Sequence, residues 1–275
     1  MKILITGSRG FVGKNLTEEI KCRKKDEVLP YYIDNTAEEL ERYTAECDMV
    51  IHLAGVNRPK DVSEFEAGNF DFTRQLLTSL KSHNNRAPII FSSSTQATLD
   101  NPYGRSKLAA EEYMMSYSRE TGIPVAVYRL PNVFGKWSRP SYNSVVATFC
   151  HNIAHNLPIQ INDPAATVTL VYIDDVMAEF LRKTETIASG SGPELITGIK
   201  PVHTIALGDL AARIRSFRES REKREVPDQS DPLTKKLYAM YLSYLPEDQF
   251  SYPLKMNVDE RGSFTEFIRT PDRGQ

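Results

Sequence analysis

Tyr103 and Lys107 stand four residues apart in the stretch YGRSK. On a helix that spacing puts both side chains on one face, one turn apart. A phenol titrates near pH ~10, so it is a poor base at neutrality. An ammonium close by favours the phenolate and is expected to lower that value. A tyrosine so placed can pass a proton to or from a carbonyl oxygen while hydride moves at the carbon. Just upstream, FSSST (91–95) places hydroxyls at the C-terminal end of an expected strand, where one could hold the same oxygen. The Tyr/Lys spacing alone would also suit a surface helix pair. It gains weight because ligands of open α/β sheets gather at that edge.

A second constellation lies at the N-terminus. Gly7, Ser8, Arg9, Gly10, Phe11, Val12 and Gly13 follow an apolar run and open a helical pattern, the context of a dinucleotide pyrophosphate site. Gly7 permits the tight turn, Gly10 lets the backbone approach the pyrophosphate and Gly13 allows close helix–sheet packing; the helix N-terminus then receives the anion. Asp34 ends the second expected strand, where an acid would bind the ribose 2′-OH of NAD. Arg9, inside the loop, could instead pair with a 2′-phosphate. The reading adopted is NADPH, with NADH as the alternative.

These residues need a scaffold, and the pattern supplies one. Strands are expected over 2–6, 28–33, 49–54, 89–93 and 125–130, with helices over 12–25, 70–82 and 102–121 between them. Such alternation predicts a Rossmann-type, doubly wound parallel α/β sheet. Pro30 is a flaw if its strand is interior. A smaller C-terminal substrate-binding part follows, with helices expected over 142–156, 174–183 and 207–224 and a strand over 167–173. The pattern breaks up from Asp228. The chain has 275 residues, 40% hydrophobic and 25% charged, and a net charge of −2, an ordinary globular balance. That charge leaves no footprint for nucleic acid, and no run is long enough for a membrane span. Three widely spaced cysteines fit reduced thiols, and with no secretion signal the expected location is cytoplasmic.

Taken in order, GSRGFVG (7–13), DMVIHLAG (48–55), FSSST (91–95), YGRSK (103–107), YRLPNVFG (128–135) and VYIDDV (171–176) resemble the extended short-chain dehydrogenase/reductase family. The resemblance covers about residues 1–245. It implies a catalytic hydroxyl at Ser94, a proton donor at Tyr103 and its partner at Lys107. It implies that Leu53, Ala54 and Gly55 wrap the cofactor, that Asn69 supports the site, and that Leu130, Pro131 and Asn132 close over nicotinamide and begin a sugar pocket. The family mostly handles nucleotide sugars, and its members often pair as homodimers through helices matching 70–82 and 102–121. Only eight residues separate Ser94 from Tyr103, fewer than is usual in the family, so the pocket wall there is abbreviated. Its 4,6-dehydratases carry Asp-Glu after the Ser/Thr. Gln96 and Ala97 stand here and cannot ionise, which leaves keto reduction or 4-epimerisation.

HLAGVNRP (52–59), SSSTQAT (92–98), DNPYGRSKL (100–108), NVFGKW (132–137), YNSVVATFCHNIA (142–154) and YLSYLPEDQFSYPL (241–254) resemble one subgroup, enzymes of bacterial capsular polysaccharide and O-antigen synthesis. There a reductase domain precedes a small zinc-containing cupin. The cupin epimerises C3 of a UDP-4-keto-6-deoxy-N-acetylhexosamine, and the reductase converts the C4 ketone, giving UDP-2-acetamido-2,6-dideoxy-L-talose on the way to UDP-N-acetyl-L-fucosamine. Residues 246–275 then read as a linker and the first strand of a cupin otherwise missing from this chain. That strand is expected to be disordered or to borrow a partner from another chain. No metal is expected in this chain; His151 and His155 share a helix face but lack a third ligand. Lys136, Arg139, Asn143 and Arg182 are candidates for a UDP pyrophosphate, and Trp137 either caps the sugar or packs in the core. The rival readings are a 4-epimerase with tightly held NAD and a non-catalytic dinucleotide sensor.

Overall fold

Short apolar runs, each followed by a longer amphipathic stretch, fold into alternating strands and helices in this computed structural model, which describes residues 1–190 and 192–270. The chain opens with β1 (Lys2–Thr6), α1 (Phe11–Arg23), β2 (Glu27–Tyr31), α2 (Ala37–Glu46) and β3 (Met49–His52). A single turn, α3 (Ser63–Phe65), and a π-helical turn over Glu66–Asp71 lead into α4 (Phe72–Ser82). Then come β4 (Ile89–Ser94), α5 (Pro102–Thr121), β5 (Val125–Leu130), β6 (Asn132–Phe134), α6 (Val145–Ala154), β7 (Thr167–Tyr172) and α7 (Ile173–Thr186). The last elements are β8 (Pro193–Ile196), β9 (Val202–Ala206), α8 (Leu207–Lys223), α9 (Pro232–Leu242), β10 (Met256–Asp259) and β11 (Gly262–Thr265).

Residues 1–133 and 173–202 form one compact unit, and residues 134–172 with 203 onward form another. The first is built on a six-stranded sheet in the order β2-β1-β3-β4-β5-β8, parallel throughout. Strand order reverses beside β1, so the C-terminal ends of β1 and β3 border the crevice where such sheets take ligands. Thr6 and His52 are register partners at those ends. Ile3, Ile5, Val50 and Ile51 are wholly buried, as strands covered on both faces must be. Leu76, Leu77 and Leu80 of α4 and Ala110, Met114 and Tyr117 of α5 pack into the same core as Val50 and Phe91. Burying each such large side chain contributes about 1.5–3 kcal/mol.

The second unit packs α6, α8 and α9 around Phe149, Cys150, Ile214, Phe217, Leu237 and Met240. A three-stranded sheet, β6-β7-β9, begins where β6 enters it.

Several boundaries differ from the sequence expectation. Pro30 is harmless because β2 is an edge strand, ending at Tyr31 rather than 33. α2 was not expected, though Thr36 and Glu39 form a reciprocal capping box at its start. α6 starts only at Val145 because the Ser144 side chain caps it. α9 emerges from the irregular region after 228, with Asp231 as cap and Pro232 in its first turn. The tail strand is paired within the chain, β10 and β11 forming an antiparallel hairpin. Residues 271–275, the end of the 246–275 segment, lie outside the described residues. Cys22, Cys47 and Cys150 are free thiols. No described helix is long and apolar enough to cross a membrane.

Candidate active site

The glycine loop fits a dinucleotide pyrophosphate. Gly7 has φ +69°, and a Cβ there would lie 2.8 Å from the Ala54 nitrogen. A Cβ on Gly13 would lie 2.2 Å from the Gly7 oxygen. Only hydrogen fits at either place, which leaves a cradle between the turn after β1 and the segment after β3. The loop is anchored on β2, where Ser8 donates from both N–H and Oγ to the Tyr31 carbonyl. Gly10 is the N-cap of α1. That helix has neither a side-chain cap nor an acid in its first turn, which leaves donors for an anion. Phe11 and Val12 are half-buried in the same turn.

Arg9 and Asp34, the two opposed signals for nicotinamide type, meet each other. Arg9 Nη1 donates to Asp34 Oδ2 at 2.9 Å, and the guanidinium lies over the Tyr32 ring. Both side chains are about two-thirds exposed (68% and 69%), so either can turn to a ribose or its phosphate.

The catalytic set comes together at the sheet's C-terminal edge. Asn101 caps α5 by accepting from Gly104 N–H, which starts the helix at Pro102, one residue before Tyr103. Ser94, last residue of β4, lies beside the Tyr103 phenol and works against the upward shift of its titration. The eight-residue link between them is taken up by a 3₁₀ turn, Thr95–Thr98. Phe65 covers Tyr103 with ring centroids 5.6 Å apart. Lys107 is buried, donates to the Ser92 carbonyl at 2.9 Å and sits 4.9 Å from the Phe91 ring centre.

One electrostatic expectation is corrected. The Tyr103 phenol is pushed up, not down: burial dominates, and the neighbouring Ser94 side chain offsets it only in part. The Lys107 ammonium gives one of its three donors to the Ser92 carbonyl, which leaves two for other partners. Burial also brings Lys107 down to about 8, opposed by the Glu111 carboxylate. Tyr103 is therefore held as a neutral phenol, a form suited to giving a proton.

Asn69 proves to be a clamp. Its Oδ1 accepts from Val56 N–H at 2.9 Å, and its Nδ2 donates to the Val56 carbonyl and to Ser106 Oγ. Ser106 in turn donates to the Tyr103 carbonyl. Asn69 thus ties the segment after Leu53, Ala54 and Gly55 to the catalytic helix. Sequence reasoning missed a second support, the Glu111–Arg129 pair. Glu111 lies one turn beyond Lys107 and is 2% exposed, held by three bonds of 2.6–3.0 Å from Arg129. The only sequence signal was an acid one turn after the lysine, inside an otherwise apolar helix face.

Leu130 is buried at the end of β5, level with Ser94, and Asn132 is exposed beyond it. Lys136, Trp137, Arg139 and Asn143 belong to the second unit. They lie on a loop where Gly135, Trp137 and Ser141 all have positive φ, a costly shape for the two non-glycine residues. Trp137 is 46% exposed, which removes the core-packing option. Arg139 stacks on Tyr142, whereas Arg182 is committed to Glu179 in the first unit. His151 and His155 stack on each other. No cluster of three potential metal ligands occurs among the described residues.

Known proteins resemble this chain in sequence and in fold. The model of the NAD dependent epimerase/dehydratase family matches residues 3–197. A Pseudomonas aeruginosa protein, UDP-2-acetamido-2,6-beta-L-arabino-hexul-4-ose reductase, is 44% identical over all 275 residues, which cover 73% of that relative. Among solved structures, the capsular polysaccharide assembling protein CapF of Staphylococcus aureus aligns with a TM-score of 0.90 and 44% identity, over 100% of this chain and 73% of CapF. UDP-glucuronic acid 4-epimerase of Bacillus cereus, solved with NAD, aligns with a TM-score of 0.72 over 89% of this chain and 98% of that one, at 21% identity, and shares the fold.

Proposed function

The chain belongs to the NAD dependent epimerase/dehydratase family, and on that premise we propose that it is a nucleotide-sugar 4-ketoreductase. Its substrate is the C4 ketone of a UDP-2-acetamido-2,6-dideoxy-hexulose and its product UDP-2-acetamido-2,6-dideoxy-L-talose. The observation that carries this reading is the grouping of Tyr103 on α5, Ser94 at the end of β4 and buried Lys107 one turn beyond the tyrosine. The 44% identity to a hexulose reductase supports the sugar class.

When bound, the reduced nicotinamide supplies the hydride. The residues of this chain do the rest. Gly7–Gly13 and the start of α1 hold the pyrophosphate, and Leu53, Ala54 and Gly55 line the dinucleotide's path. Ser94 orients the ketone oxygen, and Tyr103 gives its proton to the oxygen as it becomes an alkoxide, leaving an alcohol and a phenolate that solvent reprotonates. Lys107 steadies that phenolate and the nicotinamide ribose. NADPH is the preferred nucleotide, through Arg9, with NADH as the alternative through Asp34. Lys136, Trp137, Arg139 and Asn143 contribute to the UDP-sugar pocket; the strained loop that carries them supports this.

The protein works in the cytoplasm as a homodimer in capsule or O-antigen synthesis. Residues 246–275 form the linker and opening strand of a cupin that carries the zinc and the C3-epimerase step.

The test is oxidation of NADPH and NADH with the UDP-4-keto-6-deoxy sugar, with and without a separate C3 epimerase. Oxidation that requires the epimerase supports the reading. No oxidation, with nucleotide held tightly through purification, turns the assignment to a 4-epimerase or a sensor.

A further inference from the structure

Hydrogen-bond accounting fixes the state of a residue that the proposed reaction does not use. Thr73 Oγ1 spends its single proton on the Asn69 carbonyl at 2.6 Å. In its 2.9 Å contact with His52 Nε2, Thr73 must therefore accept, so Nε2 carries a proton. His52 is wholly buried, and burial with the nearby Lys107 ammonium pushes it down to about 3, so its imidazole is neutral. Its Nδ1 is then bare and accepts from Thr6 Oγ1 at 2.6 Å. The lone pairs of Thr6 Oγ1 in turn receive the Leu53 and Ala54 N–H groups, each at 3.2 Å. Every polar atom in this line has one donor–acceptor assignment.

Both ends of the line reach the site. Leu53 and Ala54 form the wall facing Gly7 across the cradle. Asn69 clamps Val56 and, through Ser106, the Tyr103 backbone. We propose that His52 is a positioning residue: as the Nε2–H tautomer it locks the cofactor-facing segment 53–56 to the Asn69 clamp, which holds α5 through Ser106, so that the dinucleotide cradle and Tyr103 are held in one register. A buried imidazole that merely filled space against Phe72 and Phe91 would need neither this tautomer nor these partners.

The inference deepens the reductase reading but can be tested apart from it. Nitrogen-15 NMR of the intact protein reports the tautomer directly, and titration with NADPH and NADH gives binding without any sugar. Thr73→Val removes the acceptor for Nε2–H, whereas Thr73→Ser keeps it. The expected results are an unprotonated Nδ1 and protonated Nε2 on His52, and, for Thr73→Val, dinucleotide binding and turnover each weakened by about tenfold or more, as a misplacement of ~1 Å would cause. Thr73→Ser should restore both. A proton on Nδ1 overturns the proposal, and so does wild-type dinucleotide affinity in folded Thr73→Val whose melting temperature alone has fallen. Should Thr73→Val not fold, the tautomer in the unaltered protein decides. Intact binding effects in a protein that oxidises no nucleotide with the sugar would count against the reductase reading alone.

Discussion

The two compact units treat buried polarity in opposite ways. Among the described residues, the unit built on the parallel sheet buries Thr6, His52, Asn69, Thr73, Lys107 and Glu111, two of them charged groups. The other unit buries, of polar residues, only Ser138 and Ser220, and otherwise encloses aliphatic and aromatic side chains. A buried charge is costly unless its partners are in place, so a protein keeps one where something other than stability is served. The first unit is thus organised for chemistry at its sheet edge. The second is an ordinary helical core that carries a strained, exposed loop.

That contrast can be broken by substitution, and the largest effect belongs to the first unit. Tyr103→Phe should cut kcat by about 10³, within the range for a lost general acid, while dinucleotide affinity stays within about twofold. A steady-state assay with a binding titration checks both, and retained turnover would remove the tyrosine's role.

Glu111→Gln should affect stability and pH dependence together. Leaving Arg129 unpaired costs about 3 kcal/mol in urea unfolding. Lys107 is charged below about pH 8 and loses that charge above it, so kcat/KM should fall as pH rises through that value. The Glu111 carboxylate supports the ammonium, so its removal should move the alkaline limb to lower pH. An unmoved limb would show that Glu111 is structural only.

Leu237→Ala in the second unit sharpens the comparison from the other side. The cavity should cost about 3 kcal/mol of stability. Turnover of the folded protein, measured well below the melting transition, should be unchanged, since no buried polar group depends on Leu237. The smallest effect is expected at the exposed Arg9–Asp34 pair. Arg9→Ala should shift the NADPH to NADH preference by about tenfold toward NADH, read as a ratio of kcat/KM values. An unchanged ratio would place nicotinamide selection elsewhere.

What the sequence made legible follows the same division. Gly7, Gly10, Gly13, Tyr103 and Lys107 could be singled out as candidates because local spacing and the ends of predictable elements mark them, whereas Ser94 came from the family resemblance. The strand and helix alternation was legible for the same reason. His52 and Glu111 were not, because their partners lie far along the chain: Thr6 and Thr73 reach His52 from 46 and 21 residues away, and Arg129 reaches Glu111 from 18. Pro30 could be judged only once β2 was known to be an edge strand. Two signals were present and unread: the Thr36–Glu39 capping box of α2 and the Asp231–Pro232 start of α9. The shape of the loop carrying Trp137 was not legible, since beyond Gly135 its positive-φ positions fall on Trp137 and Ser141, residues that do not announce such a backbone.

The most direct test follows a labelled hydrogen. Reduced dinucleotide deuterated at nicotinamide C4 is incubated with the C3-epimerised UDP-4-keto-6-deoxy sugar and either the unaltered protein or Tyr103→Phe. The account predicts net deuterium at sugar C4 with one dinucleotide oxidised per alcohol formed, and almost none with Tyr103→Phe despite normal dinucleotide binding. A C4-inverted sugar with no net oxidation, or equal transfer by Tyr103→Phe, would contradict it.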